Sequence, residues 1–308
     1  MRPPDAAGAW RAPFPLDLAV TLSVHRRGHG DPAFRVADDG SIWRTSLTPE
    51  GPATVRMTAG PPPGAGVVTA SAWGPGASRL LASIPEMLGA ADDSAGFLPA
   101  HPVLRELSMR LSGLRVGRSA RVLEALVPAV LEQKVVGGEA RRAWRYLLLA
   151  FGEPAPGPAP RGMRVVPAPA VWRSIPSWQW HRAGVEAVRA RTIMAAARVA
   201  GRLEEIVGLP PADADRRLRS IRGVGPWTSA EVRQRACGDA DAVSVGDYHL
   251  PAVVGWALAG TVVDDAGMLE LLAPYAGHRY RAARMIELAG IQPPRRGARL
   301  PVRDYRAQ

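Results

Sequence analysis

The chain is nearly without cysteine and nearly without lysine. Cys237 is the single thiol, which excludes an internal disulfide, a cysteine-rich zinc site and a four-cysteine iron–sulfur cluster. No run of residues is long and apolar enough to span a bilayer, so no membrane contact is expected. The opening MRPPDAAGAWRAPFP lacks the apolar core of a secretory signal, and the expected location is the cytoplasm. The six histidines have no zinc-ligand spacing, and neither a GxxxxGK[ST] phosphate loop nor a GxSxG nucleophile elbow occurs. Lys134 is the one lysine among 39 basic residues; all the others are arginine.

What is present in quantity is positive charge. A net charge of +11 and a pI near 11.0 suit a polyanionic partner, because neutralising phosphates releases counterions and supplies affinity without reading sequence. The chain is also rich in Ala, Gly and Pro, so genome composition is a second source of the arginine excess.

At 308 residues the length suggests two domains. Short apolar runs at Leu18 to Val24, Ile42 to Leu47, Ala53 to Met57 and Val67 to Trp73, separated by turn residues, predict antiparallel strands. Helical spacing follows at 77–88 and 102–112, giving an α+β lobe over 1–118. From Ser119 the period is helical almost throughout, with segments at 119–133, 138–151, 184–202, 212–220, 226–237, 249–259, 265–274 and 279–289, and the strand signal disappears. These make a mostly helical domain over 119–290, followed by a loose basic tail over 291–308. The Pro/Gly-rich stretch 152–170 cannot continue a helix and is either an ordered crossover or a mobile loop. Trp178 and Trp180 read as a packed helix corner.

The most informative segment is 218–250, LRSIRGVGPWTSAEVRQRACGDADAVSVGDYHL. Gly223 and Gly225 permit a tight reversal with close backbone approach, and Pro226 suits the first position of a new helix, where no amide hydrogen is missed. The free amides of such a turn can hold a phosphate. Asp247 follows Trp227 by 20 residues, room for one helix and a return loop, so the carboxylate comes back to the same rim. There it can serve as a catalytic acid group, as an N-cap for the helix beginning near Tyr248, or as both.

With Ile221-Arg222-Gly223-Val224-Gly225 as the hairpin and Val245-Gly246-Asp247 as the acid motif, the segment resembles the helix-hairpin-helix DNA glycosylase superfamily. Gly-Val-Gly-Pro-Trp-Thr at 223–228 and Asp247-Tyr248 are most similar to its bacterial inducible 3-methyladenine branch. The resemblance is dense from about residue 119 to 290. It implies double-stranded DNA with damaged bases as partner, a monomer associated with the nucleoid, and a base flipped into a pocket.

By that resemblance Asp247 stabilises the cationic sugar that forms as the base leaves. Trp227 and Tyr248 line the base pocket, against the plainer possibility that they are core aromatics. Gln133 and Lys134 occupy the position of the wedge that fills the vacated stack, although the branch has an apolar side chain where Lys134 stands, and a solvated phosphate contact is the alternative. Gly223, Gly225 and Thr228 contact phosphate, or simply cap and turn. The carbonyls of Arg219, Ile221 and Val224 match those that hold a monovalent cation (Na+ or K+); no other cofactor is implied.

Relatives that also cut the backbone use a lysine two residues past the second hairpin glycine, and here Trp227 stands there. The expectation is therefore a monofunctional enzyme leaving an abasic site, with alkylated purines as leading substrate. Two departures bear on the pocket: Glu231 falls where a tyrosine is expected and Glu287 where a tryptophan is. Arg222 replaces a proline of the pattern. The alternatives are a non-catalytic hairpin protein that only binds DNA, or a glycosylase of this fold for oxidised or deaminated bases.

Overall fold

The computed structural model describes residues 2–60 and 66–294; the tail expected at 291–308 lies outside them from 295 onward. The fold is α+β. Five antiparallel strands, β1 (Ala6–Arg11), β2 (Phe34–Val36), β3 (Ile42–Thr48), β4 (Gly51–Ala59) and β5 (Val67–Trp73), pair in the order β1-β5-β4-β3-β2. Alternation decides the faces. Ala53, Val55 and Met57 of β4, with Val68, Ala70 and Ala72 of β5, meet Leu80, Ile84 and Met87 from the helices that follow. The opposite face stacks Trp43 on Trp73, with centroids 5.5 Å apart.

Two expectations in this lobe need correction. Leu18 to Val24 is not a strand but a helix, Leu18–Leu22, continued by a 3-10 turn, Ser23–His25. The Asp17 carboxylate accepts the Val20 amide at 2.9 Å, capping the first turn, and Leu18, Thr21 and Leu22 then share the buried side at helical spacing. The first strand is instead β1, whose small, largely exposed AAGAWR carries little alternation.

The helical region also keeps strand character where none was expected. Residues 153–154 (β6, Glu153–Pro154) and 164–165 (β7, Arg164–Val165) form a ribbon, so the Pro/Gly stretch is an ordered crossover. It lies back on the main sheet: Thr45 Oγ1 donates to the Arg164 carbonyl at 2.6 Å, and Met163 packs with Trp43 and Trp73. In the corner that follows, Trp180 is buried against Trp172 while Trp178 is exposed.

The helices that position the site are α1 (Pro102–Arg110), α2 (Val122–Leu131), α3 (Ala187–Arg198), α4 (Pro211–Arg219), α5 (Pro226–Val232), α6 (Leu250–Ala259), α7 (Asp265–Leu272) and α8 (Arg279–Leu288). They build two cores. One centres on α2, which is buried on nearly every side, and takes in Ile193, Leu218, Ile221, Val224 and Val232. The other joins Leu104 and Leu107 of α1 to Leu250, Val254, Met268 and Ile286 of α6 to α8. The cores thus cut across chain order, since α1 packs with the last helices. The glycine turn belongs to the first core and α6 to the second, so the segment from α5 to α6 runs along their seam. No helix among the described residues is long and apolar enough to cross a membrane.

Candidate active site

The turn between α4 and α5 is pinned from below. Ile221 and Val224 are buried, and the Val224 amide donates to the Ile221 carbonyl at 2.9 Å. Gly223 has φ +94, and a Cβ there would stand 2.1 Å from Thr192 Oγ1 of α3, so both backbone conformation and space demand glycine. The same Thr192 hydroxyl donates to the Arg222 carbonyl at 3.2 Å, holding the turn onto α3. Gly225 has an ordinary extended conformation and open space around its Cβ position. Because Pro226 opens α5, the amides of Gly225, Trp227 and Thr228 find no partner among the described residues and face outward as donors.

Gln133 and Lys134 follow the end of α2, whose Leu131 carbonyl is held by the buried Arg189 guanidinium at 2.8 Å. The Gln133 side-chain amide donates to the Gly223 carbonyl (2.9 Å) and to Thr228 Oγ1 (2.8 Å), tying this loop to the turn. Thr228 is only 2% exposed, so its hydroxyl is turned inward to Gln133 and its outward group is the backbone amide. Lys134 is exposed and has φ +55, a conformation costing a non-glycine residue about 1–2 kcal/mol. The carbonyls of Arg219 and Val224 accept no hydrogen bond among the described residues, and that of Ile221 accepts one, leaving each a lone pair that fits a small cation.

Asp247 sits opposite this turn. Its Oδ2 accepts the Trp227 indole Nε1–H at 2.9 Å, while Oδ1 accepts the amides of His249 (2.8 Å) and Leu250 (2.9 Å). The carboxylate therefore caps α6 and remains half-buried at the seam, with every donor around it favouring the anion. Gly246, φ +90, sends its amide to both oxygens of Asp265 at 3.1 Å, which braces the loop against α7. Tyr248 is not gathered in with Trp227: it is 81% exposed, with its ring edge-on to His249.

Further along the seam lies a polar cluster that sequence reasoning located only through its two carboxylates. Glu231, one turn beyond Trp227 on α5, accepts Ser244 Oγ at 2.7 Å and pairs with Arg235 at 2.8 Å. Arg235 also donates to the Val24 carbonyl at 3.1 Å, and Arg284 of α8 donates to Ser23 Oγ at 2.8 Å, so the 3-10 turn of the N-terminal lobe closes one side. Glu287 lies one turn from Arg284, at 3.4 Å. Burial pushes its carboxyl above the usual carboxylate range, Arg284 pulls against that, and the charge of Glu231 adds to it. Burial, reinforced by Arg44, Arg235, Arg27 and Arg284, holds the His25 imidazole well below its ordinary 6.5. The spacing Trp227, Glu231, Arg235, four residues apart each time, was the available signal; Ser23, Ser244, Arg284 and Asp265 left none.

A sheet-and-helix lobe ahead of a helical body, with a glycine turn facing a capping aspartate, defines the helix-hairpin-helix DNA glycosylase fold that the sequence resembles. Solved structures share it. The 3-methyladenine DNA glycosylase from Archaeoglobus fulgidus aligns over 91% of this chain and 97% of its own, with a TM-score of 0.76 at 16% identity. The 8-oxoguanine glycosylase/lyase of Clostridium acetobutylicum, in complex with double-stranded DNA, covers 92% and 97% respectively, with a TM-score of 0.67 at 11% identity. A 3-methyladenine DNA glycosylase from Schizosaccharomyces pombe, in complex with abasic DNA, covers 62% of this chain and 93% of its own, with a TM-score of 0.50 at 17% identity. No protein-family model and no curated protein matches the sequence.

Proposed function

We propose that this protein is a monofunctional DNA glycosylase that hydrolyses the N-glycosidic bond of alkylated bases, 3-methyladenine among them, in damaged double-stranded DNA. It acts as a monomer in the cytoplasm, associated with the nucleoid, and leaves an abasic site. The observation that carries this reading is Asp247, held as an anion by one indole and two backbone amides opposite a turn with unpartnered amides.

In this mechanism the outward amides of Gly225, Trp227 and Thr228, with the turn at Gly223, grip a backbone phosphate and fix the strand. A monovalent cation on the carbonyls of Arg219, Ile221 and Val224 adds positive charge to the same grip. Lys134 enters the space left by the everted nucleotide, with Gln133 fixing the base of its loop. As the glycosidic bond lengthens, the sugar becomes cationic and Asp247 lies beneath it. A unit charge about 4 Å away is worth ~4 kcal/mol at an effective dielectric of about 20. That is roughly a thousandfold in rate. Trp227 and Tyr248 offer electron-rich faces to a cationic base. Trp227 at the lyase position supplies no amine, so water completes the reaction.

The test compares the protein with Asp247→Asn on methylated DNA, measuring free bases and alkali-labile sites. A loss of about three orders of magnitude is expected; equal release from both proteins, or none from either, defeats the assignment. Substantial borohydride trapping by the unaltered protein would contradict the monofunctional reading.

A further inference from the structure

Resting on the glycosylase reading above, we infer that Glu287 is the specificity residue of the base pocket, its carboxylate accepting the exocyclic amino group of a positively charged base. The substrates it selects are cationic alkylated bases that carry an amino group, in preference to neutral bases that present a carbonyl there.

The argument begins with the wall beside Asp247. From Trp227 the exposed face of α5 continues through Glu231 to Arg235, and the loop leading to Asp247 passes Ser244, so the recess next to the acid is built from charged and polar groups. Most of these are spoken for. Glu231 uses one oxygen on Ser244 and the other on Arg235. Arg235 is further engaged by the Val24 carbonyl, and Arg284 by Ser23.

Glu287 is the exception. Its single contact is the long one from Arg284 to Oε2, and Oε1 has no partner among the described residues. Its side chain keeps 45% of its exposure although protein surrounds the carboxyl closely enough to raise its pKa. Exposure combined with strong desolvation belongs to a group on the wall of a concavity, open to a ligand rather than to bulk water. A carboxylate there has acceptors only, and its charge favours a cationic guest. A base carbonyl in the same place would meet a like lone pair.

The groups facing Glu287 are Arg284 and Tyr280 on its own helix, Glu231 and Arg235 on α5, and His25 on the 3-10 turn. The arginines oppose its protonation and Glu231 promotes it. The fold-dependent readout is therefore a ratio: release of 3-methyladenine over release of hypoxanthine, a neutral base with a carbonyl in place of the amino group. Hydrogen bonds to a charged group are worth roughly 10- to 100-fold, so Glu287→Gln should lower the ratio by at least about tenfold. In the unaltered protein the ratio should also fall as pH drops through the raised pKa of Glu287, whereas protonation of Asp247 slows both reactions and cancels.

These outcomes separate the two claims. If the unaltered protein releases neither base, the glycosylase reading fails and this inference with it. If it releases bases in an Asp247-dependent way, yet the ratio is flat in pH and unmoved by a folded Glu287→Gln variant, the inference alone is overturned. The pH measurement needs no variant, so misfolding cannot mask the result.

Discussion

The indole nitrogen of Trp227 donates to the same carboxylate that caps α6, so Trp227 and Asp247 bind the two sides of the seam through one hydrogen bond of 2.9 Å. A helix of the first core thereby sets the angle of an acid that belongs to the second. Trp227→Phe keeps an aromatic face and removes the donor. Base release is expected to fall roughly 10- to 100-fold, the worth of one hydrogen bond to a charged group, with DNA affinity little changed. Single-turnover kinetics beside a fluorescence binding titration checks this; a fall in affinity equal to the fall in rate would assign Trp227 to DNA binding alone.

Gly223 is required twice, by its φ of +94 and by Thr192 Oγ1 at 2.1 Å from a Cβ. Gly223→Ala should cost about 1–3 kcal/mol. For a chain of this size that lowers Tm by roughly 3–10 °C. Adding Thr192→Ala removes the clash but not the backbone strain, so differential scanning calorimetry should find partial recovery. Full recovery would leave no role for φ.

Lys134 holds a left-handed conformation in an exposed loop. Lys134→Gly relieves that strain at an entropic cost of similar size, so stability should stay within about 1 kcal/mol. The preference for duplex over single-stranded substrate should fall about tenfold, equivalent to ~1.4 kcal/mol, because no side chain enters the vacated stack. An unchanged preference would reduce Lys134 to a surface charge.

His25 is neutral in the folded protein because burial and four arginines hold its pKa well below 6.5. The unfolded chain takes up this proton as pH falls below about 6.5 and the folded chain does not, so stability present above that value is lost on acidification toward the folded pKa. The loss approaches ~1.4 kcal/mol for each unit of pH in that window. Urea midpoints at about pH 7.5 and about pH 5.5 should differ less in His25→Gln than in the unaltered protein, and an identical difference would mean that other groups carry the acid sensitivity.

Much of the frame was legible because its cause is local. Alternation in β3, β4 and β5 and helical spacing from residue 122 onward follow from burying one face of each element. The assignment of Leu18 to Val24 failed because a side chain outside the run, Asp17, turned a short apolar stretch into a capped helix. The ribbon at 153–165 was invisible because two-residue strands have no period, and only Trp43 and Trp73 beneath it explain its order.

The site divides in the same way. Glycines, Pro226 and a carboxylate at set spacing are chemical requirements of the backbone, and a sequence states them directly. Which oxygen of Asp247 receives an indole, that Thr228 turns inward to Gln133 while Tyr248 stands in solvent, and that Glu287 comes near Glu231 across 56 residues of chain are relations between distant segments. Only the closing of two helical cores against each other and against a 3-10 turn decides them, because hydrogen bonds and charges act over a few ångströms of space and take no account of distance along the chain.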